Sequence, residues 1–132
     1  MNTPEINYLN ISSDTQLREL ADQMGIPNLT IIPRYKLRTA LKCKHIKNII
    51  VNYRDAPNGS HWVAINKTKK MYFDSYAQPM LPELSSRYKR SSTTKEIQSI
   101  DGSNCGQLSV LWLYYTNFRS NEDFYKLFKD VY

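Results

Sequence analysis

The sequence predicts a single α+β domain, and three patterns predict it. A helical apolar stripe comes first, from Ser12 to Gly25. β-branched and aromatic runs fill the middle, between Lys47 and Ser75. A segment that is apolar on nearly every side begins at Cys105. Helix, then strands, then helix is the order of an α+β fold rather than of repeating βα units. There is no internal repeat, linker or low-complexity tract, so residues 1–132 form one domain. A chain of this length buries roughly two-thirds of its unfolded surface and needs no disulfide staples.

Each element has a local reason. Leu17, Leu20, Ala21 and Met24 recur at helical spacing and make one stripe. Ser13 with Gln16 three residues on fits a capping box, and Ser12 or Asp14 could cap instead. Gly25 sits where a left-handed cap belongs, and Pro27 prevents the helix from resuming. Pro27 and Pro33 bracket what reads as an irregular connection, and Arg34 to Leu41 as a short helix or turn. Lys47 to Tyr53 is β-branched and aromatic, hence a strand. Asp55 to Ser60 is dense turn chemistry. His61 to Asn66 and Met71 to Ser75 are two more strands, joined by a lysine-rich turn, which argues an antiparallel hairpin. Glu83 to Arg90 reads as a helix and Lys95 to Ile100 as a short strand. From Cys105 to Phe118 the residues Leu108, Val110, Leu111, Trp112, Leu113 and Tyr115 leave no polar face, so this helix is central and buried. Ser120-Asn121-Glu122-Asp123 opens a last helix, with Phe124, Leu127 and Phe128 as its stripe.

Composition bounds the function. The chain is 41% hydrophobic and 23% charged, an ordinary globular balance. Two cysteines, Cys43 and Cys105, make no disulfide framework, and reduced thiols of an intracellular protein are expected. Met1 to Tyr8 carries neither a basic flank nor an apolar run, so a signal peptide is not expected. No apolar run approaches the ~20 residues that span a bilayer. A soluble, unsecreted monomer with no membrane partner is the expectation. The net charge of +6 is spread over clusters at Lys42–Lys47, Lys67–Lys70 and Arg87–Arg90. It suits polyanions, nucleic acid being the usual one, and equally a solvated basic face. Cys43 and His45 are two metal ligands at most, too few for zinc.

The chemistry centres on Asp101-Gly102-Ser103-Asn104-Cys105-Gly106. Cys105 heads a helix, where orphan N–H groups and the dipole favour a thiolate, the form that attacks carbonyls. Gly106 lets a substrate backbone approach closely. His61 is the candidate general base. Asp74 ends the next strand of the hairpin, so the two can be cross-strand neighbours, with the carboxylate fixing the imidazole tautomer. Gln98 offers an amide to an oxyanion hole with the Cys105 N–H. Trp62 could wall the cleft. Each residue has a plain alternative. A lone cysteine before an apolar helix is more often inert core. His61 and Trp62 could be satisfied core residues, Asp74 a turn carboxylate and Gln98 an ordinary strand residue. The conjunction in this order is what argues for a site.

In that order the chain resembles the adenain-like and SUMO-protease-like cysteine peptidases. The matching stretches are Gly59-Ser60-His61-Trp62, Tyr72-Phe73-Asp74-Ser75-Tyr76, Gln98 and Asn104-Cys105-Gly106. The short chain and the leading helix ending at Gly25-Ile26-Pro27 look most like the maturation proteases of adenoviruses, adintoviruses, Polintons and virophages. The resemblance implies catalytic residues His61, Asp74, Gln98 and Cys105. It also implies a cysteine-proteinase-like α+β fold, with a small, mainly antiparallel central sheet packed on the helix that starts at the nucleophile. It further implies cleavage of viral capsid or core precursors after small residues such as Gly, in the host nucleus or cytoplasm or in the virion. The other branch of the resemblance implies deconjugation of a ubiquitin-like or SUMO-like protein. A non-catalytic basic nucleic-acid-binding domain is the alternative from charge and tyrosine content. The chemistry requires no cofactor. DNA or an activating peptide is a cofactor that the resemblance permits, although no cysteine between Asp74 and Gln98 matches the one that tethers adenain's activating peptide.

Overall fold

The computed structural model describes residues 14–53, 61–91 and 105–128. Helix α1 (Asp14–Gln23) leads to strand β1 (Leu29–Pro33). A 3-10 turn (Arg34–Lys36) and helix α2 (Leu37–Lys42) follow. Strands β2 (Asn48–Asn52), β3 (Trp62–Asn66), β4 (Met71–Phe73) and β5 (Lys89–Arg90) come next. Helices α3 (Cys105–Phe118) and α4 (Asn121–Lys126) complete the described chain. The strands form one sheet in the order β1-β2-β3-β4-β5. It is a mixed sheet packed against helices, an α+β arrangement.

Three expectations change. The sheet is not mainly antiparallel: β2–β3 and β3–β4 are antiparallel, while β1–β2 and β4–β5 are parallel. The stretch between Pro27 and Pro33 is not irregular but is the edge strand β1. Its Leu29-Thr30-Ile31-Ile32 core is β-rich, and prolines are tolerated at strand ends and edges. Residues 83–90 are not a helix. Turns bonded Leu84 N–H to Leu81 O and Tyr88 N–H to Ser85 O carry the chain to the sheet edge. There Lys89 N–H and Ser91 N–H bond the Lys70 and Tyr72 carbonyls. The strand expected at 95–100 lies outside the described residues.

Both faces of the sheet are covered, which explains why β2 and β3 read as unbroken apolar runs. Ile31, Ile50, Ala64 and Phe73 lie in register across four strands and face α1, α3 and α4. Alternate residues Ile49, Val51, Val63, Ile65 and Tyr72 face the opposite way, against Leu37, Ala40, Leu81 and Leu84. The first twelve residues of α3 are all buried. Its Trp112 stacks on Phe73 at 5.5 Å between ring centres, and Phe124 of α4 meets Phe73 edge-on. No helix among the described residues is long and apolar enough to cross a membrane.

The helix ends follow their chemistry. Gly25 has φ +70°; its N–H bonds Asp22 O and the Ile26 N–H bonds Ala21 O, the paired bonds of a Schellman cap. Ser120 caps α4 by accepting from the Asp123 N–H at 3.0 Å. Asn48 ties three segments: its Nδ2 donates to Pro27 O at 2.7 Å, and its Oδ1 accepts from Asn117 of α3 at 2.9 Å.

Candidate functional site

The site forms where β3 begins, β4 ends and α3 begins. The β3–β4 turn at 67–70 folds the hairpin so that His61, just before β3, and Asp74, just after β4, share one end of the sheet. His61 Nε2 and Asp74 Oδ1 are 2.7 Å apart, in a pair whose side chains are each 2% exposed. Asp74 is oriented by its own turn. Oδ1 also accepts the Tyr76 N–H at 2.8 Å, and the Asp74 carbonyl accepts from Ala77, which holds φ +54°.

Cys105 reaches the same place through the backbone of Trp62. The register of β4 covers Ala64 to Asn66 and stops short of Trp62, whose polar backbone atoms turn to α3 instead. The Trp62 N–H donates to Cys105 Sγ at 3.3 Å, and the Trp62 carbonyl accepts from Ser109 Oγ at 3.2 Å. Cys105 and Ser109 stand one helical turn apart, on one face. At the far end of β3, Asn66 Nδ2 donates to Thr116 Oγ1 at 3.0 Å. Seven residues of helix rise about 10 Å and four of strand about 13 Å, so the two anchors keep α3 alongside β3. Docking α3 at Trp62 therefore sets the sulfur beside the residue that follows His61.

Electrostatics favour a charged imidazole. Burial would push His61 down, but the Asp74 hydrogen bond, the neighbouring Cys105 thiol and their charges outweigh it and raise it from 6.5 to about 9. With Nε2 committed to Asp74, buried Nδ1 has no partner within hydrogen-bond geometry among the described residues, and it is the nitrogen left to exchange a proton with the neighbouring Cys105 thiol. The arrangement can therefore run thiol–imidazole proton transfer with a carboxylate fixing the ring.

Of the residues singled out in the sequence, His61, Asp74 and Cys105 are brought together and are 1%, 8% and 5% exposed. Gly106 is buried in the first turn of α3. The Trp62 indole lies in the core, 6% exposed, and it is the Trp62 backbone that touches the sulfur. Gln98 lies outside the described residues. Sequence reasoning did not assign Ser109, which anchors α3, nor the rings of Tyr53 and Tyr76, which flank His61 at 5.8 and 4.7 Å between centres. Tyr76 stood inside a quoted motif and Tyr53 ended a strand, but only the register gives them a shared neighbour. Cys43 and Cys105 are both free thiols. Among the described residues no cluster of three His, Cys, Asp or Glu could hold a metal ion. Comparison with family models, curated proteins and solved structures finds no match to this chain.

Proposed function

We propose that the chain is a cysteine endopeptidase with a cysteine-proteinase-like fold, of the adenain-like kind that its motifs resemble. The observation that carries this reading is the buried His61–Asp74 pair at 2.7 Å, with the Cys105 sulfur hydrogen-bonded to the residue next to His61. In the reaction, the proton of Cys105 rests on His61 Nδ1 as imidazolium, and the thiolate Sγ bonds the scissile carbonyl carbon. His61 returns the proton to the leaving amine as the C–N bond breaks. Water, deprotonated by His61, then hydrolyses the thioester and frees the thiol. Asp74 keeps Nε2–H pointed inward throughout. The Cys105 N–H and Gln98 hold the oxyanion, Gln98 on resemblance alone.

Substrate choice follows access. A nucleophile 5% exposed accepts a slim chain more readily than a bulky one, which favours small residues such as Gly at the cut and suits precursor proteins of a virion. A ubiquitin-like tail ending in small residues would meet the same demand. Polyanion binding is favoured by a separate observation. Lys42, Lys44, Lys47 and Lys67 line a cavity of about 340 Å³ with no carboxylate among its described lining residues, and that cavity lies at the end of the sheet opposite His61.

Peptide-library cleavage by the full chain, with and without DNA, tests the reading. Glycine-containing peptides should be cut by the wild type and not by a folded Cys105→Ala variant. Undiminished cleavage by that variant would sink the assignment. Faster reaction with ubiquitin- or SUMO-tail electrophiles would move the substrate to the deconjugating class.

A further inference from the structure

We infer that Tyr76 is a positioning residue for His61: with Tyr53 at the ring's edge, it holds the imidazole plane against Asp74 and favours its protonated form. This deepens the proposed thiol–imidazole site and rests on it for its meaning, though not for its measurement.

The placement comes from the register. The β3–β4 pairing that sets Ala64 opposite Phe73 would, if continued, set residue 76 opposite residue 61. The chain turns at Asp74–Ala77, so Tyr76 arrives at that point from the turn. Its ring lies 4.7 Å from the imidazole, centre to centre, tilted 35°. The same residue's N–H donates to Asp74 Oδ1, the oxygen that also meets His61 Nε2. Tyr76 thus touches both members of the buried pair, the carboxylate with its backbone and the imidazole with its ring.

Tyr53 stands at 5.8 Å and 63°, edge to face. It is braced from behind. Its hydroxyl donates to Pro79 O at 3.1 Å, Arg34 Nη1 donates to its carbonyl at 3.1 Å, and the Arg34 guanidinium lies 5.4 Å from its ring centre. Arg34 is in turn held by a forked pair to Glu83. Among the described residues, the titratable groups facing His61 are Asp74 after β4, Cys105 of α3, Tyr53 after β2 and Tyr76 of the turn, with Arg34 and its Glu83 partner behind Tyr53. An aromatic face within about 6 Å of a cation stabilises it. The partially negative face of Tyr76 therefore opposes the desolvation that burial imposes on the charged ring.

The test reads the imidazole directly. The chain has two histidines, His45 and His61, so an NMR titration of the full chain gives two assignable midpoints, with His45 as internal reference. Tyr76→Leu should lower the His61 midpoint by roughly 0.4–1.5 pH units, the range that a cation–aromatic contact supplies. Tyr76→Phe, which keeps the ring, should retain the wild-type value. Tyr53→Leu should move the midpoint the same way by less, and it tests the inference should Tyr76→Leu fail to fold. An unmoved His61 midpoint in a folded leucine variant overturns the inference, as does an equal shift in Tyr76→Phe. A chain that shows the shift but cleaves no peptide keeps the inference and removes the protease reading. Cleavage without the shift does the reverse.

Discussion

Replacing Asp74 by Asn removes one charge and almost no volume from the centre of the site. The amide can still accept the Tyr76 N–H and face His61 Nε2 at the observed 2.7 Å, so the shape survives and the electrostatics do not. The gap between the ordinary 6.5 and about 9 corresponds to about 3 kcal/mol of preference for imidazolium. Asp74 contributes to it both as hydrogen-bond partner and as charge, while burial opposes it. Without the carboxylate, burial dominates and His61 falls to about 6.5 or below. At pH 7.5 the charged fraction would then drop from about 97% to about 9% or less. Peptide cleavage should fall by ~10²–10⁴-fold, the range for loss of a correctly held general base. The assay that isolates the cause is the pH profile of Cys105 alkylation by chloroacetamide, with Cys43 as the internal comparison. Its feature near pH 9 should move below pH 7 in Asp74→Asn. Superimposable wild-type and variant profiles would mean that Asp74 does not set the protonation of His61.

Three further outcomes are expected. Because the His61 value is raised in the folded state, its stabilisation is complete below about pH 6.5 and is lost as pH rises through about 9. Urea unfolding should therefore show a loss approaching about 3 kcal/mol between pH 6.5 and 10, absent in His61→Ala. Gly25→Ala meets no atom within 4 Å, so its cost is the backbone at φ +70° alone, about 1 kcal/mol of stability by denaturant titration. Trp112→Ala empties a fully buried site stacked on Phe73 and should cost about 3–5 kcal/mol, read as a lowered urea midpoint.

Much of the site was legible because hairpin geometry is local. A tight turn at 67–70 obliges 61 and 74 to approach, whatever else the chain does. The buried helix from Cys105 was equally legible, since a segment without a polar face has nowhere else to go. What was hidden depends on distant partners. β1 looked irregular because its prolines mark the ends of a strand whose partner, β2, starts fifteen residues beyond Pro33. β5 is two residues long and exists through its bonds to Lys70 and Tyr72 rather than through any propensity. The seat of Cys105 depends on Ser109 and Thr116 gripping opposite ends of β3, and nothing in the sequence marks those two hydroxyls from others that merely cap or solvate.

The bond from the Trp62 N–H to Cys105 Sγ joins residues 43 positions apart, and that separation sets when during synthesis the sulfur can reach its seat beside His61. On a growing chain, His61 and the strand that follows it emerge long before the sulfur. The two meet only after α3 has settled along β3. Until then Cys105 lacks its neighbour His61, so on the proposed reading a half-folded chain has no base seated beside the sulfur. On the proposed protease reading, assembly itself would act as the safety catch.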